Sequence, residues 1–169
     1  MTSILKVTEV QDPTNSNTAL SIDSSGRVSR PVIPYAFVTF AASNSYVSKA
    51  ANAILDFSVA VVNNGSHFNT STYKFTCPVA GLYQVEIATL TQNNSDAYGI
   101  FPIRNSGGTE AKLTRFYTNA RAIAGASFTI ECSANDELYF KPEHTKSFYS
   151  STVDSSHVPY NWATFRFVG

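Results

Sequence analysis

The strongest constraint on the fold is a segment in which two runs of alternating hydrophobic residues are separated by turn-forming residues. Residues 57–83 read FSVAVVNNGSHFNTSTYKFTCPVAGLY. Phe57, Val59 and Val61 occupy alternate positions, the period of a strand that is buried on one face. The Asn-Asn-Gly sequence that follows is expected to form a tight turn, because these residues adopt positive φ at little cost. The segment therefore predicts β-sheet and contains nothing that is typical of catalysis.

A second alternating run follows Gly81, and Pro78 lies just before it, where a missing backbone donor does least harm. This run and the last apolar segment of the chain each place apolar residues on one side of a strand. The residues expected in the core of a sandwich are Tyr83, Val85, Ile87, Ala163, Phe165 and Phe167.

These segments resemble a known family. The stretch NNGSHFNTSTYKFTCPVAGLYQVEI (residues 63–87) resembles the signature of the C1q domain, in which an Asn-rich loop is followed by Phe, Cys, Pro, Gly and Tyr. RNSG (104–107) is similar to its strand-ending turn, GASFTIECSANDELYF (125–140) to its penultimate hairpin, and WATFRFV (162–168) to its closing strand. Thr164 stands where the family usually has Gly.

The resemblance covers residues 34–169 and implies an all-β, ten-strand jelly roll of the C1q and tumour-necrosis-factor type that assembles as a homotrimer. The residue pattern itself predicts eight main strands joined by Asn-, Ser- and Gly-rich loops, as an antiparallel sandwich or jelly roll requires. They are expected at residues 35–42, 54–62, 81–90, 98–104, 111–117, 123–132, 136–141 and 161–168. Residues 142–159 are expected to form a long loop, which is typical of a functional or mobile segment.

Composition excludes several classes of partner. Charged residues make up 14% of the 169 residues, and 12 basic side chains balance 12 acidic ones. Without a positive patch, neither nucleic acid nor an anionic membrane is an expected partner. No apolar run approaches the ~20 residues that span a bilayer, and no signal-like segment opens the chain. We therefore expect synthesis in a cytoplasm without an export signal of its own.

The Asn-X-Ser/Thr sequences at Asn64, Asn69 and Asn93 are expected to be chance matches in an Asn-rich chain that has no secretory signal. The two cysteines, Cys77 and Cys132, are interpreted as small buried hydrophobes, although a bridge between them stays open.

The N-terminal segment differs in composition, with few aromatic residues and much Ser, Thr, Asn and Asp. We predict an arm at residues 1–30 and a jelly-roll domain at residues 31–169. The sequence turns at Gly26, which indicates a small hairpin or an extended arm that needs a partner for its apolar residues. ALSIDSSGRV (19–28) resembles the N-terminal part of bacteriophage tail-fibre and other virion proteins. The apolar residues expected to attach the arm are Leu5, Val7, Leu20, Ile22 and Val28.

The sequence contains no motif of a catalytic or metal site. His67, His144 and His157 lie in predicted loops without metal-ligand spacing, so solvated loop positions are favoured. GASFT at residues 125–129 lacks the second Gly of a nucleophile elbow. Asp136 and Glu137 could help to bind calcium, but a turn pair facing water is the favoured interpretation. No enzyme activity and no cofactor are expected.

The resemblance further implies that the strand after Gly81 and the last strand are neighbours whose partly apolar outer faces meet at a threefold axis. The hypothetical trimer interface consists of Leu82, Gln84, Glu86, Trp162, Thr164, Arg166 and Val168. Glu86 and Arg166 could pair there, because an unpaired charge in a dry interface is costly. A monomeric sandwich with a polar outer sheet is the alternative.

The predicted function is that of a non-enzymatic trimeric virion protein, a phage fibre or spike head. Its arm would bind other virion proteins, and its loops would contact a host-surface glycan or protein. The hypothetical contact residues are Asn64, His67, Asn69, Asn94, Tyr98, His144, Tyr149 and His157. The alternatives are a secreted or cell-surface C1q-like recognition module, an architectural capsid or tail decoration protein, and a polysaccharide depolymerase.

Overall fold

The computed structural model describes residues 7–11, 18–30, 33–41, 45–92, 97–118, 123–150 and 160–169. The chain divides into two compact units, unit 1 (Met1–Ile33) and unit 2 (Pro34–Gly169). Every regular element in the described residues is a β-strand. No helix in these ranges is long and apolar enough to cross a membrane.

Unit 1 contains a small antiparallel sheet. Its strands are β1 (Glu9–Gln11), β2 (Thr18–Ile22) and β3 (Val28–Ser29), in the order β1-β2-β3. The Asp23 side chain accepts hydrogen bonds from the backbone N–H groups of Ser25 and Arg27 at the turn between β2 and β3. This arrangement is typical of Asp in a turn, and it confirms the hairpin predicted around Gly26.

Unit 2 is a β-sandwich. Its strands in the described residues are β4 (Tyr35–Thr39), β5 (Ser45–Lys49), β6 (Val59–Asn64), β7 (Phe68–Asn69), β8 (Lys74–Thr76), β9 (Gly81–Leu90), β10 (Tyr98–Ser106), β11 (Thr109–Lys112), β12 (Phe116–Thr118), β13 (Ile123–Cys132), β14 (Glu137–Pro142), β15 (Lys146–Ser150) and β16 (Trp162–Phe167).

The strands of unit 2 form two main sheets and a short ribbon. One sheet has the order β13-β9-β16-β4-β6. The other has the order β11-β10-β14-β8-β7, with β12 also paired to β10. The ribbon consists of β15 and β5. The chain crosses repeatedly between the two main sheets, from β8 to β9 to β10 and from β12 to β13 to β14, as in a jelly roll, which confirms the predicted fold class.

Aromatic side chains fill the space between the two main sheets. Phe75 on β8 and Phe165 on β16 are both buried, and their rings stack across the sandwich. Tyr83 and Phe140 extend this layer and are also buried. Burial of each such side chain is worth about 1.5–3 kcal/mol, so this layer is the main source of stability of unit 2. Of the six residues predicted for the core, five are buried and Phe167 is half-buried.

Three predicted elements differ from the structure. The expected loop at 142–159 contains β15, which pairs with β5, and residues 151–159 lie outside the described part. The expected strand at 111–117 is interrupted, because β11 and β12 both pair with β10 at different positions. Residues 125–140 do not form a hairpin: β13 pairs with β9, and β14 pairs with β10 and β8 in the other sheet.

The buried face predicted for residues 57–62 is also wrong beyond Phe57. Val59 and Val61 are 41% and 56% exposed, because β6 is the edge strand of its sheet and its pairing with β4 shifts between Phe37 and Val38. A β-bulge of this kind turns side chains away from a simple alternation. The turn predicted within RNSG is confirmed and lies at Gly107–Gly108, between β10 and β11.

Candidate assembly and contact surfaces

The side chains predicted for a trimer interface lie together on the outer face of the five-stranded sheet, which we name the assembly face. Gln84 and Glu86 on β9 are opposite Arg166 and Thr164 on β16. The residues between them, such as Val85, point into the core. Since successive side chains of a strand alternate between faces, the register places all of the predicted set on the outside. Its members are Leu82, Gln84, Glu86, Trp162, Thr164, Arg166 and Val168.

The assembly face keeps a large apolar surface in the isolated chain. Leu82 and Val168 are 45% and 48% exposed, and a backbone hydrogen bond joins these two residues. Trp162 is half-buried and packs edge-to-face on Phe37 of β4, with ring centroids 6.2 Å apart. Val62 of β6 is opposite Phe37 and is 36% exposed. The sequence reasoning missed Phe37 and Val62, because neither was assigned to a strand next to β16.

Glu86 is the acidic group at the centre of the assembly face. Its carboxylate accepts hydrogen bonds from the side chains of Gln84, Ser127 and Thr164, at 3.0, 3.3 and 3.2 Å. Within the described part of the chain no ion pair joins Glu86 to Arg166, which is exposed. The three neutral donors orient the carboxylate of Glu86.

A second apolar surface lies at one edge of the same sheet, between β12 and β13, and we name it the edge groove. It is an open cavity of about 510 Å³. Leu113, Phe116, Phe128 and Ile130 form its apolar lining, and Thr114, Ser127 and Thr129 complete it with hydroxyl groups. The rings of Phe116 and Phe128 lie 5.8 Å apart and hold the two walls together. This surface has no counterpart among the sequence predictions, because its walls come from strands of different sheets.

The structure places the predicted contact residues in different settings. Asn64 and Asn69 are exposed at the last positions of β6 and β7, and His144 is exposed in the loop between β14 and β15. His67 is half-buried: its ring lies against Gly65 and packs edge-to-face with Phe75. Burial lowers the pKa of His67 below its ordinary value of 6.5. Asn94 and His157 lie outside the described residues.

Two further predicted contact residues, Tyr98 and Tyr149, lie within strands and pack against other aromatic rings. Tyr98 begins β10 and is buried, with its ring edge-to-face on Phe148, so it is unavailable to a partner. Its hydroxyl lies 3.3 Å from the hydroxyl of Thr89, and burial raises its pKa. Tyr149 lies on β15 directly opposite Tyr46, with ring centroids 4.9 Å apart. Such a cross-strand aromatic pair stabilises the ribbon.

The interpretation of Asp136 and Glu137 as a turn pair facing water is wrong. Asp136 is buried, accepts a hydrogen bond from the backbone of Ser133 and lies 3.9 Å from the Arg104 guanidinium. Glu137 accepts a hydrogen bond from Lys74 at 2.8 Å. No group of three metal-ligating side chains occurs in the ranges that the structure describes. Both carboxylates therefore hold the end of β14 in place.

The electrostatics of Glu137 follow from the same contacts. Burial alone would raise the pKa of its carboxyl group, but hydrogen bonds from Lys74 and Asn105 outweigh this effect and lower the pKa. Glu137 is therefore ionised at neutral pH, and its carboxylate already accepts hydrogen bonds from two donors.

The cysteines are free thiols in the core, at the ends of β8 and β13. The hydrogen bond between Cys77 and Cys132, together with burial, raises the pKa of Cys77 far above its ordinary range. A thiol that stays protonated is a poor nucleophile. Both thiols are free and buried, as expected for the small buried hydrophobes that the sequence predicted.

Four of the residues predicted to attach the arm lie in the described part of unit 1. Val7, Ile22 and Val28 are exposed and Leu20 is half-buried, whereas Leu5 lies outside the described residues. The sequence reasoning missed Val10, which pairs with Leu20 and is 46% exposed. A single valine between Glu9 and Gln11 gives little periodic signal.

Comparison with known proteins agrees with this architecture. The sequence model of the C1q domain matches residues 36–158, which is most of the chain. The chain belongs to the C1q domain family. No curated protein matches the sequence significantly.

Solved structures show the same fold at low sequence identity. The tumour necrosis factor Eiger from S. frugiperda has a TM-score of 0.66 at 11% identity, over 83% of this chain and 94% of that one. Murine APRIL at pH 8.5 has a TM-score of 0.61 at 12% identity, over 80% and 99% of the two chains. The globular domain of zebrafish complement 1qA protein has a TM-score of 0.53 at 15% identity, over 79% and 94%. C1q-like and tumour-necrosis-factor-like domains are generally non-enzymatic binding modules.

Proposed function

We propose that this protein is a non-enzymatic homotrimer that recognises or adheres to a surface through its C1q domain. The observation that carries the proposal is the presence of two unlike apolar surfaces on one domain, the assembly face and the edge groove. A contact between two different surfaces is heterologous, and copies joined in this way close into a ring when the rotation permits. Three copies are expected because C1q and tumour-necrosis-factor domains form homotrimers.

The chemistry of the two surfaces favours this contact. Leu82, Trp162 and Val168 give the face an apolar surface around Glu86, while Phe128 and Ile130 give the groove an apolar lining. Exposed apolar patches that polar residues surround are typical of protein interfaces. Where the assembly faces of the three chains approach one another, the Arg166 guanidinium of one chain would pair with the Glu86 carboxylate of the next, because an unpaired charge in a dry interface is costly.

The mass of the protein in solution tests the trimer. We expect three times 18.4 kDa by light scattering. Leu82→Glu should reduce this mass, because it introduces three like charges near the axis. Val79→Glu is the matched control, since Val79 is also 45% exposed but precedes β9 and lies outside the sheets. A monomeric wild-type chain, or equal loss of mass in both variants, would refute the trimer.

The recognition role rests on multivalency. A trimer presents three copies of the exposed residues at strand ends and in loops, including Asn64, Asn69 and His144, on one rigid head. Weak single contacts then add, as polar loops rich in Asn, Ser and Tyr require. We propose a glycan or protein of a host surface as the partner. Binding of the purified trimer to host cells, lost by Asn64→Ala combined with Asn69→Ala at unchanged mass, would support this role.

A virion is the proposed location of the protein, as the head of a phage fibre or spike. The support is the resemblance of residues 19–28 to phage virion proteins and the separate unit 1 that carries them. A decoration protein of capsid or tail is the architectural alternative, and a secreted recognition module is the other. Purified particles that contain the protein in stoichiometric amount are the expected result. Finding it only in the culture medium, free of particles, would favour the secreted module.

A further inference from the structure

Unit 1 carries an apolar sheet face that nothing within the sheet covers. Val10 pairs with Leu20, and Ile22 pairs with Val28, so these four side chains point to the same side. Val10, Ile22 and Val28 are 46%, 36% and 63% exposed, and Leu20 is half-buried. We name this surface the arm face.

The opposite side of the same sheet is polar and internally bonded. Glu9 pairs with Ser21, and the hydroxyls of Ser21 and Ser29 lie 2.6 Å apart. The side chain of Gln11 donates a hydrogen bond to Glu9. The sheet is therefore amphipathic, and an amphipathic sheet normally buries its apolar side against a second layer. A three-stranded sheet of this size gains independent stability only when that side is covered.

The size of the arm face restricts what can cover it. Four aliphatic side chains can bury on the order of 250–500 Å² in total. A stable contact between separate proteins needs about 800 Å² on each partner. The arm face is too small to capture a dilute partner alone, but it is large enough for an occupant that is already held nearby.

We propose that the arm faces of three chains pack against one another and form a second trimeric contact through unit 1. This inference rests on the proposed trimer of unit 2, which would hold three arms at an effective concentration in the millimolar range. The arm face contains no charged residue, so identical copies meet without like-charge repulsion. Their polar sides, with Glu9 and Ser21, would then remain in water.

Cross-linking of the full-length protein tests the proposal. Val28→Cys places a thiol at the most exposed position of the arm face, and Ser29→Cys places one on the next residue, which lies on the polar side. The native thiols are buried, so the unsubstituted chain gives the background. Each dilute sample is treated with a short bismaleimide, and its denatured mass is measured. The mass in solution is measured in parallel.

We expect Val28→Cys to give about tenfold more linked chains than Ser29→Cys, given effective concentrations in the millimolar range. Ile22→Cys against Ser21→Cys repeats the comparison on β2 and guards against a folding defect in either β3 variant. A trimeric mass without cross-links, or equal linking of both positions, overturns the packing of the arm faces and leaves the trimer of unit 2 standing. A monomeric mass overturns both.

Discussion

The ring of Phe75 stacks on the ring of Phe165 with an interplanar angle of 5° and centroids 5.2 Å apart. The two residues come from different sheets, so this pair joins the layers of the sandwich. Phe165→Ala should lower the free energy of unfolding by about 3–5 kcal/mol, because it removes buried surface and leaves a cavity. Phe101→Ala is the control, since Phe101 is half-buried under Lys112 on an outer face. The two variants are compared by denaturant titration at one protein concentration. Equal losses of unfolding free energy would contradict the role of the Phe75–Phe165 pair in joining the sheets.

Gly81 is predicted to tolerate no side chain. Its φ is +144°, and an added Cβ would lie 2.5 Å from the backbone oxygen of Gly169 and 2.7 Å from the Phe167 ring. Gly107 also has positive φ, +57°, but no atom lies within 4 Å of its added Cβ. Gly107→Ala should therefore lower the free energy of unfolding by about 1 kcal/mol, through backbone strain alone. Gly81→Ala should lower it clearly more. Thermal melting of the two variants makes the comparison.

The stability of unit 2 should fall in mild acid because of His67. Burial holds the pKa of His67 below 6.5 in the folded state, so the unfolded chain binds the proton more tightly. The contribution of the neutral ring to the stability of the folded protein is therefore complete above about pH 6.5. It is lost as the pH falls through the lower pKa that His67 has in the folded state. His67→Gln should flatten this part of the stability profile. An unchanged slope between the two proteins would show that other groups cause it.

Glu86→Ala is expected to weaken the trimer more than a change at any loop carboxylate. The variant removes the acceptor that Gln84 and Thr164 orient and leaves Arg166 without the proposed partner. Asp56→Ala is the loop control, since Asp56 already pairs with Lys49 in its own chain. Trimer dissociation on dilution, followed by light scattering, should shift several-fold more for Glu86→Ala. Identical dilution curves would argue against the pairing.

The two thiols should be unreactive toward thiol-specific reagents in the folded protein. Cys77 and Cys132 are buried, and the raised pKa of Cys77 keeps it protonated. A thiol-specific chromophoric reagent should react with neither cysteine in buffer and with both in denaturant. Reaction of neither cysteine after unfolding would indicate that a bridge had formed between them.

The long, regular strands could be predicted from the sequence because their alternation is sustained. The bounds of β9 and β13 agree with the prediction at both ends. In β9 core and outward positions alternate from Leu82 to Ile87, and residues 88–90 are all buried. The assembly face follows directly from the period of β9 and β16. The position of Phe37 beside this face could not be predicted in the same way, because the order of strands in a sheet depends on pairing between distant parts of the chain.

The short elements could not be predicted for a physical reason. The β5 and β15 sequences, SYVSK and KSFYS, contain few apolar residues, and their aromatic pair Tyr46 and Tyr149 is separated by most of the domain. Tyr98 looked like a loop residue because it follows an Asn- and Ser-rich segment, yet its ring is buried against Phe148. In both cases tertiary packing determines the structure and the local sequence is uninformative.

The turn at Gly107–Gly108 is a suitable site for the insertion of an epitope tag. Nothing lies within 4 Å of either added Cβ, and β11 is the edge strand of its sheet. A short epitope inserted between these glycines would extend into solvent and leave both main sheets intact. Antibody labelling of such an insertion would show by electron microscopy whether the domain lies on a particle, as the proposed virion role requires.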